Sequence, residues 1–187
     1  MSEARTVQNP GEFPAEHGEF LLRGPAGMIE CAVDVPEAEE ARRGTVIICH
    51  PHPEHGGTMH NKVVTIMERA MRELGLRTVR FNYRGVGDSE GAFDDGYGET
   101  DDLFAVAEWV RRTRPHDSLW LGGFSFGSYI TTRAALNLDV GHVQRLLKLP
   151  RVHGGSTNIA CLAGFHNIMQ RRHRFFYRRS VVSTVYN

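Results

Sequence analysis

The chain has 187 residues, of which 41% are hydrophobic and 24% are charged. These are ordinary values for a soluble globular protein, and the length suits one domain with its own core. No apolar run approaches the roughly 20 residues of a membrane helix, and residues 1–13 lack the apolar segment of a secretory signal. Three cysteines without metal or redox spacing fit reduced thiols. We therefore expect a cytoplasmic protein without a membrane partner.

The net charge of zero conceals an asymmetry along the chain. Residues 1–139 contain 14 basic and 22 acidic side chains, whereas residues 140–187 contain 8 basic and no acidic ones. Two parts of one domain rarely differ this much in charge. The C-terminal part therefore has to be interpreted separately from the rest.

The N-terminal elements predict the antiparallel side of a sheet. Residues 1–17 form a polar stretch that we interpret as a flexible arm. Two strand-like runs follow, Glu19–Arg23 and Met28–Val35, and the Gly-Pro-Ala-Gly sequence between them predicts a hairpin turn. Thr45–Cys49 is a continuous apolar run of mainly β-branched residues, which indicates a central strand covered on both faces by helices.

The middle of the chain alternates between helical and strand-like patterns. Such an order implies right-handed crossovers and a parallel sheet. We therefore predict a three-layer α/β fold with a mainly parallel sheet and N-terminal antiparallel strands. The predicted elements are a helix over Asn61–Leu74, a strand over Leu76–Tyr83, a glycine-rich loop over Gly85–Gly91, a helix over Gly98–Arg114, a strand over Ser118–Gly122 and a helix over Phe126–Leu138.

Ser125 lies in a Gly-x-Ser-x-Gly pattern at the junction of the last predicted strand and helix. A serine hydroxyl is a poor nucleophile unless a turn holds it exposed beside a base. This pattern joins a strand to a helix so tightly that only small residues fit two positions before and after the serine. We therefore predict that Ser125 is the catalytic nucleophile. The alternative is an ordinary turn rich in glycine and serine.

Acyl transfer to a serine also requires two N–H donors for the developing oxyanion. The N–H of Phe126, directly after the nucleophile, is the first predicted donor. The second should come from the loop after the first central strand, which is His50–Thr58. Since Pro51 and Pro53 have no N–H group, His52 is the donor best placed at the exit of that strand.

The same loop is rich in histidine, so a metal site is the alternative interpretation. Its candidate ligands are His50, His52, His55 and His60. Two prolines restrict the loop, however, and the helix spacing of carboxylate and histidine typical of zinc hydrolases is absent from the sequence. We expect neither a metal nor another cofactor.

Three motifs in order give the chain a family resemblance: Ile48–Pro53 with Gly56–Lys62, then Arg80–Gly91, then Gly122–Gly127. Together they resemble the small bacterial α/β-hydrolases described as predicted hydrolases, which are similar to dienelactone hydrolases and serine aminopeptidase-like esterases. The resemblance covers residues 18–140. It implies the α/β-hydrolase fold and a serine-hydrolase activity with the nucleophile and oxyanion donors predicted above. It also implies that Arg84–Gly91 is a structural loop at the rim of the active site, which we call the rim loop.

Two further expectations concern that rim and the substrate. Asp88 lies between glycines in the rim loop, and we interpret it as a polar turn residue without a catalytic role. The short chain leaves little room for a lid domain, so a small ester-like molecule is the expected substrate.

The rest of a catalytic triad is not apparent after Ser125. In this fold the acid and then the histidine follow the serine along the chain. The sequence offers one carboxylate there, Asp139, 14 residues on, which a continuous helix would place about 20 Å from Ser125. The fold therefore looks C-terminally incomplete. Four histidines remain as candidate bases, and none matches the family's motif: His142, His153, His166 and His173.

Residues 141–187 form an atypical basic tail. A shifted reading frame would explain the abrupt change in composition, and sequencing the locus tests that hypothesis. Two functional alternatives follow from the tail: a catalytically inactive, truncated relative of the hydrolases, or a nucleic-acid-binding protein using the basic and aromatic segment Gln170–Arg179. We do not expect a nucleic-acid partner. An incomplete sheet would leave an exposed edge through which two copies could associate.

Overall fold

A computed structural model of the protein describes residues 7–137 and 157–161. Within these residues, seven strands form one sheet and three α-helices pack against it. The strands are β1 (Val7–Gln8), β2 (Gly18–Gly24), β3 (Gly27–Asp34), β4 (Gly44–Cys49), β5 (Arg77–Phe81), β6 (Ser118–Gly123) and β7 (Thr157–Cys161), and the helices are α1 (Lys62–Glu73), α2 (Tyr97–Thr113) and α3 (Phe126–Asn137).

The strand order across the sheet is β1-β2-β3-β5-β4-β6-β7. The hairpin strands β2 and β3 are antiparallel to each other, and β3 is antiparallel to β5. The neighbours β5, β4, β6 and β7 pair in parallel. The predicted mainly parallel sheet with N-terminal antiparallel strands is therefore confirmed.

The three layers follow from the alternation of side chains along β4, all of whose residues are buried. Ile47 packs on the face of the sheet covered by α2 and α3. Ile48 points to the opposite face, where it joins Val64 and Met67 of α1. A strand that is apolar on both faces therefore lies at the centre of the sheet, where both faces are shielded from water.

Part of the predicted N-terminal arm lies against the domain. β1 pairs in parallel with β2. Downstream of it, the ring of Phe13 stacks on Trp109 of α2, with 5.2 Å between the ring centroids. The indole Nε1–H of Trp109 donates a hydrogen bond to the carbonyl oxygen of Pro10 at 2.8 Å. This stacking and this hydrogen bond connect the polar segment to α2. The composition of the segment did not indicate such a contact.

The edge of β6 is also occupied. β7 pairs in parallel with β6, from Leu119 opposite Thr157 to Gly123 opposite Cys161. β7 thus takes up the hydrogen-bonding groups on this side of β6 and is the last strand of the described sheet on this side.

Among the helices that the structure describes, none combines the length and the apolar character needed to cross a bilayer.

Candidate active site

Ser125 occupies a strained turn between β6 and α3. Its φ angle is 56°, in the left-handed region that residues with a side chain rarely adopt. Its side chain is exposed, although the strand before it ends in buried residues. The turn therefore lifts the hydroxyl out of the sheet's edge toward solvent, which is the geometry of a nucleophile elbow.

The two glycines around Ser125 explain the spacing of the motif. A Cβ atom on Gly123 would overlap the backbone of Gly127, and one on Gly127 would overlap the carbonyl oxygen of Cys49 in β4. The hydroxyl of Ser128 closes the turn by donating to the carbonyl oxygen of Gly123 at 2.8 Å. The elbow can be this tight only because both positions lack a side chain.

Two backbone N–H groups near the elbow are available to a ligand. The N–H of Phe126, the first residue of α3, has no intrahelical partner, as expected at a helix N-terminus. Within residues 7–137 and 157–161, no protein acceptor takes this N–H or that of His52. The dipole of α3 adds positive potential at the same end of the helix. The site can therefore bind a developing negative charge.

The loop that carries His52 is folded back on this residue. A short 3-10 turn over Pro53–His55 follows it. The carbonyl oxygen of His52 accepts the N–H groups of His55 at 3.1 Å and Gly57 at 3.0 Å. Its ring Nδ1 accepts the N–H of Glu54 at 3.3 Å. Hydrogen bonds thus use the carbonyl and the side chain of His52 and leave its N–H group free.

One of the candidate metal ligands in this loop, His50, is not available to bind a metal ion. His50 is fully buried, its Nδ1 is hydrogen-bonded to the carbonyl oxygen of Pro51, and its Nε2 accepts the N–H of Tyr83. Burial lowers the pKa of His50 to about 4. With both ring nitrogens occupied, His50 has no lone pair left for a metal. The part of the chain that the structure describes contains no cluster of three or more side chains suited to hold a metal ion.

The two residues that carry the free N–H groups, His52 and Phe126, belong to a group of aromatic side chains in contact with one another. The ring of His52 lies 4.8 Å from that of Phe126 and 5.0 Å from that of Phe93, measured between centroids. Phe126 also contacts the half-exposed ring of Tyr129, with 5.9 Å between the centroids. We call His52, Phe93, Phe126 and Tyr129 the aromatic cluster. Its apolar surface lies next to Ser125 because Phe126 follows that serine directly.

The loop that supplies Phe93 is fixed by a buried carboxylate. Glu99 in the first turn of α2 is fully buried, and its two oxygens accept the N–H groups of Asp94 at 2.9 Å and Gly96 at 2.7 Å. A buried carboxylate has to be hydrogen-bonded in this way. The position of Phe93 in the aromatic cluster therefore depends on the N-terminus of α2.

Asp102 is a structural residue of the site that the sequence analysis missed. Its side chain is only 1% exposed and accepts three hydrogen bonds from Arg84, at 3.0 Å from the N–H, 3.1 Å from Nε and 2.8 Å from Nη2. This ion pair ties the start of the rim loop to α2. One signal was available: Asp102 stands beside Leu103 on the otherwise apolar face of the predicted helix.

The remaining candidates have different outcomes. Asp88 is exposed and its N–H donates to the carboxylate of Glu30 at 2.9 Å, while no contact of its own side chain is found among the described residues. The candidate acid and bases all lie outside the described residues: Asp139, His142, His153, His166 and His173.

Comparisons with known proteins agree with this geometry. The sequence profile of the alpha/beta hydrolase fold matches residues 44–147, more than half of the chain. A crystal structure of an α/β serine hydrolase without a lid, from Xanthomonas campestris, is 56% identical with a TM-score of 0.67, covering 70% of this chain and 60% of that one. An α/β serine hydrolase homologue from Coxiella burnetii is 48% identical with a TM-score of 0.66, covering 68% and 61%.

A curated relative is also partly matched. An uncharacterised protein of Rickettsia prowazekii is 34% identical over 119 residues, which are 63% of this chain and 49% of that protein. The chain thus spans about half the length of this relative. The profile match covers the elbow and the loop His50–Thr58, together with the strands β4, β5 and β6. The chain belongs to the alpha/beta hydrolase fold family.

Proposed function

We propose that the protein is a serine hydrolase that transfers the acyl group of a small ester to water through Ser125. The observation that carries this proposal is the exposed, left-handed backbone of Ser125 between two glycines that cannot be replaced without overlap. Such strain persists only where the surrounding structure enforces it, and it is concentrated at functional sites. The similarity to α/β serine hydrolases supports the same chemistry.

In the proposed reaction, the Oγ of Ser125 attacks the carbonyl carbon of the ester. The carbonyl oxygen becomes an oxyanion, which the free N–H groups of His52 and Phe126 stabilise by hydrogen bonds. Collapse of the tetrahedral intermediate expels the alcohol and leaves an acyl-enzyme, which water then hydrolyses. The reaction needs a histidine to accept the Ser125 proton and later return it. It needs no cofactor.

The solvent exposure of Ser125 supports a small substrate. Ser125 is exposed, and the half-exposed Tyr129 lies four residues on in α3, where its N–H donates to the carbonyl oxygen of Ser125 at 3.3 Å. The aromatic cluster offers an apolar surface for one side of an ester, next to the free N–H groups. We therefore infer that uncharged esters with a short acyl chain are the preferred substrates.

Hydrolysis of p-nitrophenyl acetate by the full chain tests this proposal. Ser125→Ala should lower kcat at least about 10³-fold, since the nucleophile is lost. Ser118→Ala is the matched control because Ser118 lies at the opposite end of β6 from the elbow; it should hydrolyse the ester at the wild-type rate. Equal activity of wild type and Ser125→Ala would overturn the proposal.

A further inference from the structure

His50 is a buried histidine that the proposed reaction does not use directly. It follows the last residue of β4, its exposure is 0%, and its ring packs on that of Tyr83 with 4.2 Å between the centroids. A buried polar ring is retained at a free-energy cost unless its nitrogens are hydrogen-bonded. Both ring nitrogens of His50 are hydrogen-bonded, and their two partners determine which nitrogen carries the proton.

The two hydrogen bonds select one tautomer of His50. The backbone N–H of Tyr83 points at Nε2 at 3.2 Å, and since an N–H group only donates, Nε2 must be the unprotonated acceptor. The proton of the neutral ring is therefore on Nδ1, which donates to the carbonyl oxygen of Pro51 at 2.6 Å. Burial, which lowers the pKa of His50 to about 4, keeps the ring in this neutral form near pH 7.

The carbonyl of Pro51 and the N–H of His52 belong to the same peptide unit. That unit is planar and trans, so the two groups point to opposite sides. A hydrogen bond that holds the Pro51 oxygen toward His50 therefore holds the His52 N–H away from it. Gly57 also packs against this carbonyl, since a Cβ atom at that position would overlap the Pro51 oxygen.

A flipped peptide would have two consequences. It would turn the His52 N–H toward the ring of His50 and present the Pro51 oxygen to the substrate in its place. It would also leave the Nδ1–H of His50 buried without an acceptor, at a cost typical of an unsatisfied polar group. In the described structure the His52 N–H has no protein acceptor. The hydrogen bond between His50 and the Pro51 carbonyl favours this orientation of the peptide.

We propose that His50 is the positioning residue of the oxyanion site: its Nδ1–H, through the Pro51 carbonyl, keeps the His52 N–H aimed at the substrate's carbonyl oxygen. This inference rests on the proposed function for its catalytic consequence. The orientation of the peptide itself does not depend on which ester is hydrolysed. A histidine suits the position because one neutral planar ring supplies a donor to Pro51 and an acceptor to Tyr83.

Two amide substitutions separate the two hydrogen bonds. The side-chain amide of His50→Asn can reach the Pro51 carbonyl in place of Nδ1, whereas that of His50→Gln extends toward the Nε2 position and cannot. We expect kcat for p-nitrophenyl acetate to fall about 10²-fold in His50→Gln, with KM changed less than about threefold, because an oxyanion contact acts in the transition state. The kcat of His50→Asn should be at least tenfold higher than that of His50→Gln.

The controls distinguish this inference from the proposed function. His60→Gln changes an exposed histidine just after this loop and should leave kcat unchanged. If hydrolysis by the wild type depends on Ser125 but His50→Gln keeps the wild-type kcat, the role of His50 is wrong and the function stands. Equal losses of kcat in the Asn and Gln variants would also contradict the inference.

A spectroscopic readout tests the tautomer without any variant or activity. In ¹⁵N NMR spectra of the wild-type protein, the His50 ring should show a protonated Nδ1 and an unprotonated Nε2 throughout pH 5.5–8. The opposite tautomer, or a ring that gains a second proton near its ordinary pKa of about 6.5, would overturn the inference even if no ester is hydrolysed.

Discussion

The backbone of Gly127 in α3 lies directly against the carbonyl oxygen of Cys49 at the end of β4. This contact brings the elbow of Ser125 next to the start of the loop His50–Thr58, since His50 follows Cys49. The neighbouring pairing of Cys49 with Gly123 in the sheet reinforces the same contact. Two segments that are distant in the chain thus meet because position 127 has no side chain.

Gly127→Ala should therefore destabilise the protein. The added Cβ would overlap backbone atoms rather than a flexible side chain, so relief requires a shift of α3 or β4. We expect the free energy of unfolding in urea to fall by about 3 kcal/mol, at the upper end of overpacking effects. Gly11→Ala, where a Cβ would meet no atom within 4 Å, is the control and should change it by less than about 0.5 kcal/mol. Equal stabilities of the two variants would contradict this contact.

Asp102→Ala should be one of the more destabilising changes at the site. It removes the partner of Arg84 and leaves three donors of that residue, most of them shielded from water, without their acceptor. Removing one partner of a buried ion pair lowers the free energy of unfolding by about 3–5 kcal/mol. Because Arg84 is partly exposed, we expect a loss near the lower value. The neighbouring exposed Asp101→Ala should stay within about 0.5 kcal/mol of wild type in the same urea titration. A loss below about 1 kcal/mol for Asp102→Ala would contradict this assignment.

His50 should make stability depend on pH between about 6.5 and 4. Its pKa is about 4 in the folded protein and 6.5 by reference, so the unfolded chain binds the proton first as the pH falls. The contribution of His50 to the free energy of unfolding is complete above pH 6.5. It is lost progressively as the pH falls to 4, by about 3 kcal/mol in total. His50→Asn removes this titration. Unfolding free energies at pH 7, 5.5 and 4 should therefore fall more steeply for wild type than for His50→Asn, and equal slopes would refute the expectation.

Phe93 should affect esters according to their apolar size. Its ring contacts both His52 and Phe126, with 5.0 Å and 5.9 Å between the centroids, so its removal would open the aromatic cluster beside the free N–H groups. Phe93→Ala should lower kcat/KM for p-nitrophenyl butyrate about tenfold, and that for the acetate less, because the longer acyl chain loses more apolar contact. Phe13→Ala, at the packing contact with Trp109, should alter both esters alike. Equal losses for both esters in Phe93→Ala would show that this ring does not select the acyl group.

The sequence was informative wherever a local pattern determined the structure. The apolar run Thr45–Cys49 predicted β4 because a strand buried on both faces must be apolar throughout. The Gly-x-Ser-x-Gly spacing predicted the tight turn at Ser125 because its glycines are steric requirements. The ends of the predicted helices lie within a few residues of those observed, since Asn61 and Pro115 mark boundaries locally.

Features that depend on distant contacts could not be derived in this way. The ion pair of Arg84 with Asp102 joins residues on two elements, and neither residue alone indicates a partner. The histidines after β4 resembled metal ligands in the sequence. Only the positions of the Pro51 carbonyl and the Tyr83 N–H show that both ring nitrogens of His50 are hydrogen-bonded. The pairing of β7 with β6 likewise joins two segments that are far apart in the sequence, so no local pattern predicts it.

Covalent labelling by a fluorophosphonate probe tests the central claim most directly. Intact-mass spectrometry of the full chain should show one equivalent of adduct at pH 7.5, and peptide mapping should place it on Ser125. Ser125→Ala should take up no label, while Ser118→Ala should be labelled like wild type. A wild-type protein that is folded by circular dichroism yet remains unlabelled, or is labelled at another residue, would contradict the assignment of Ser125 as the nucleophile.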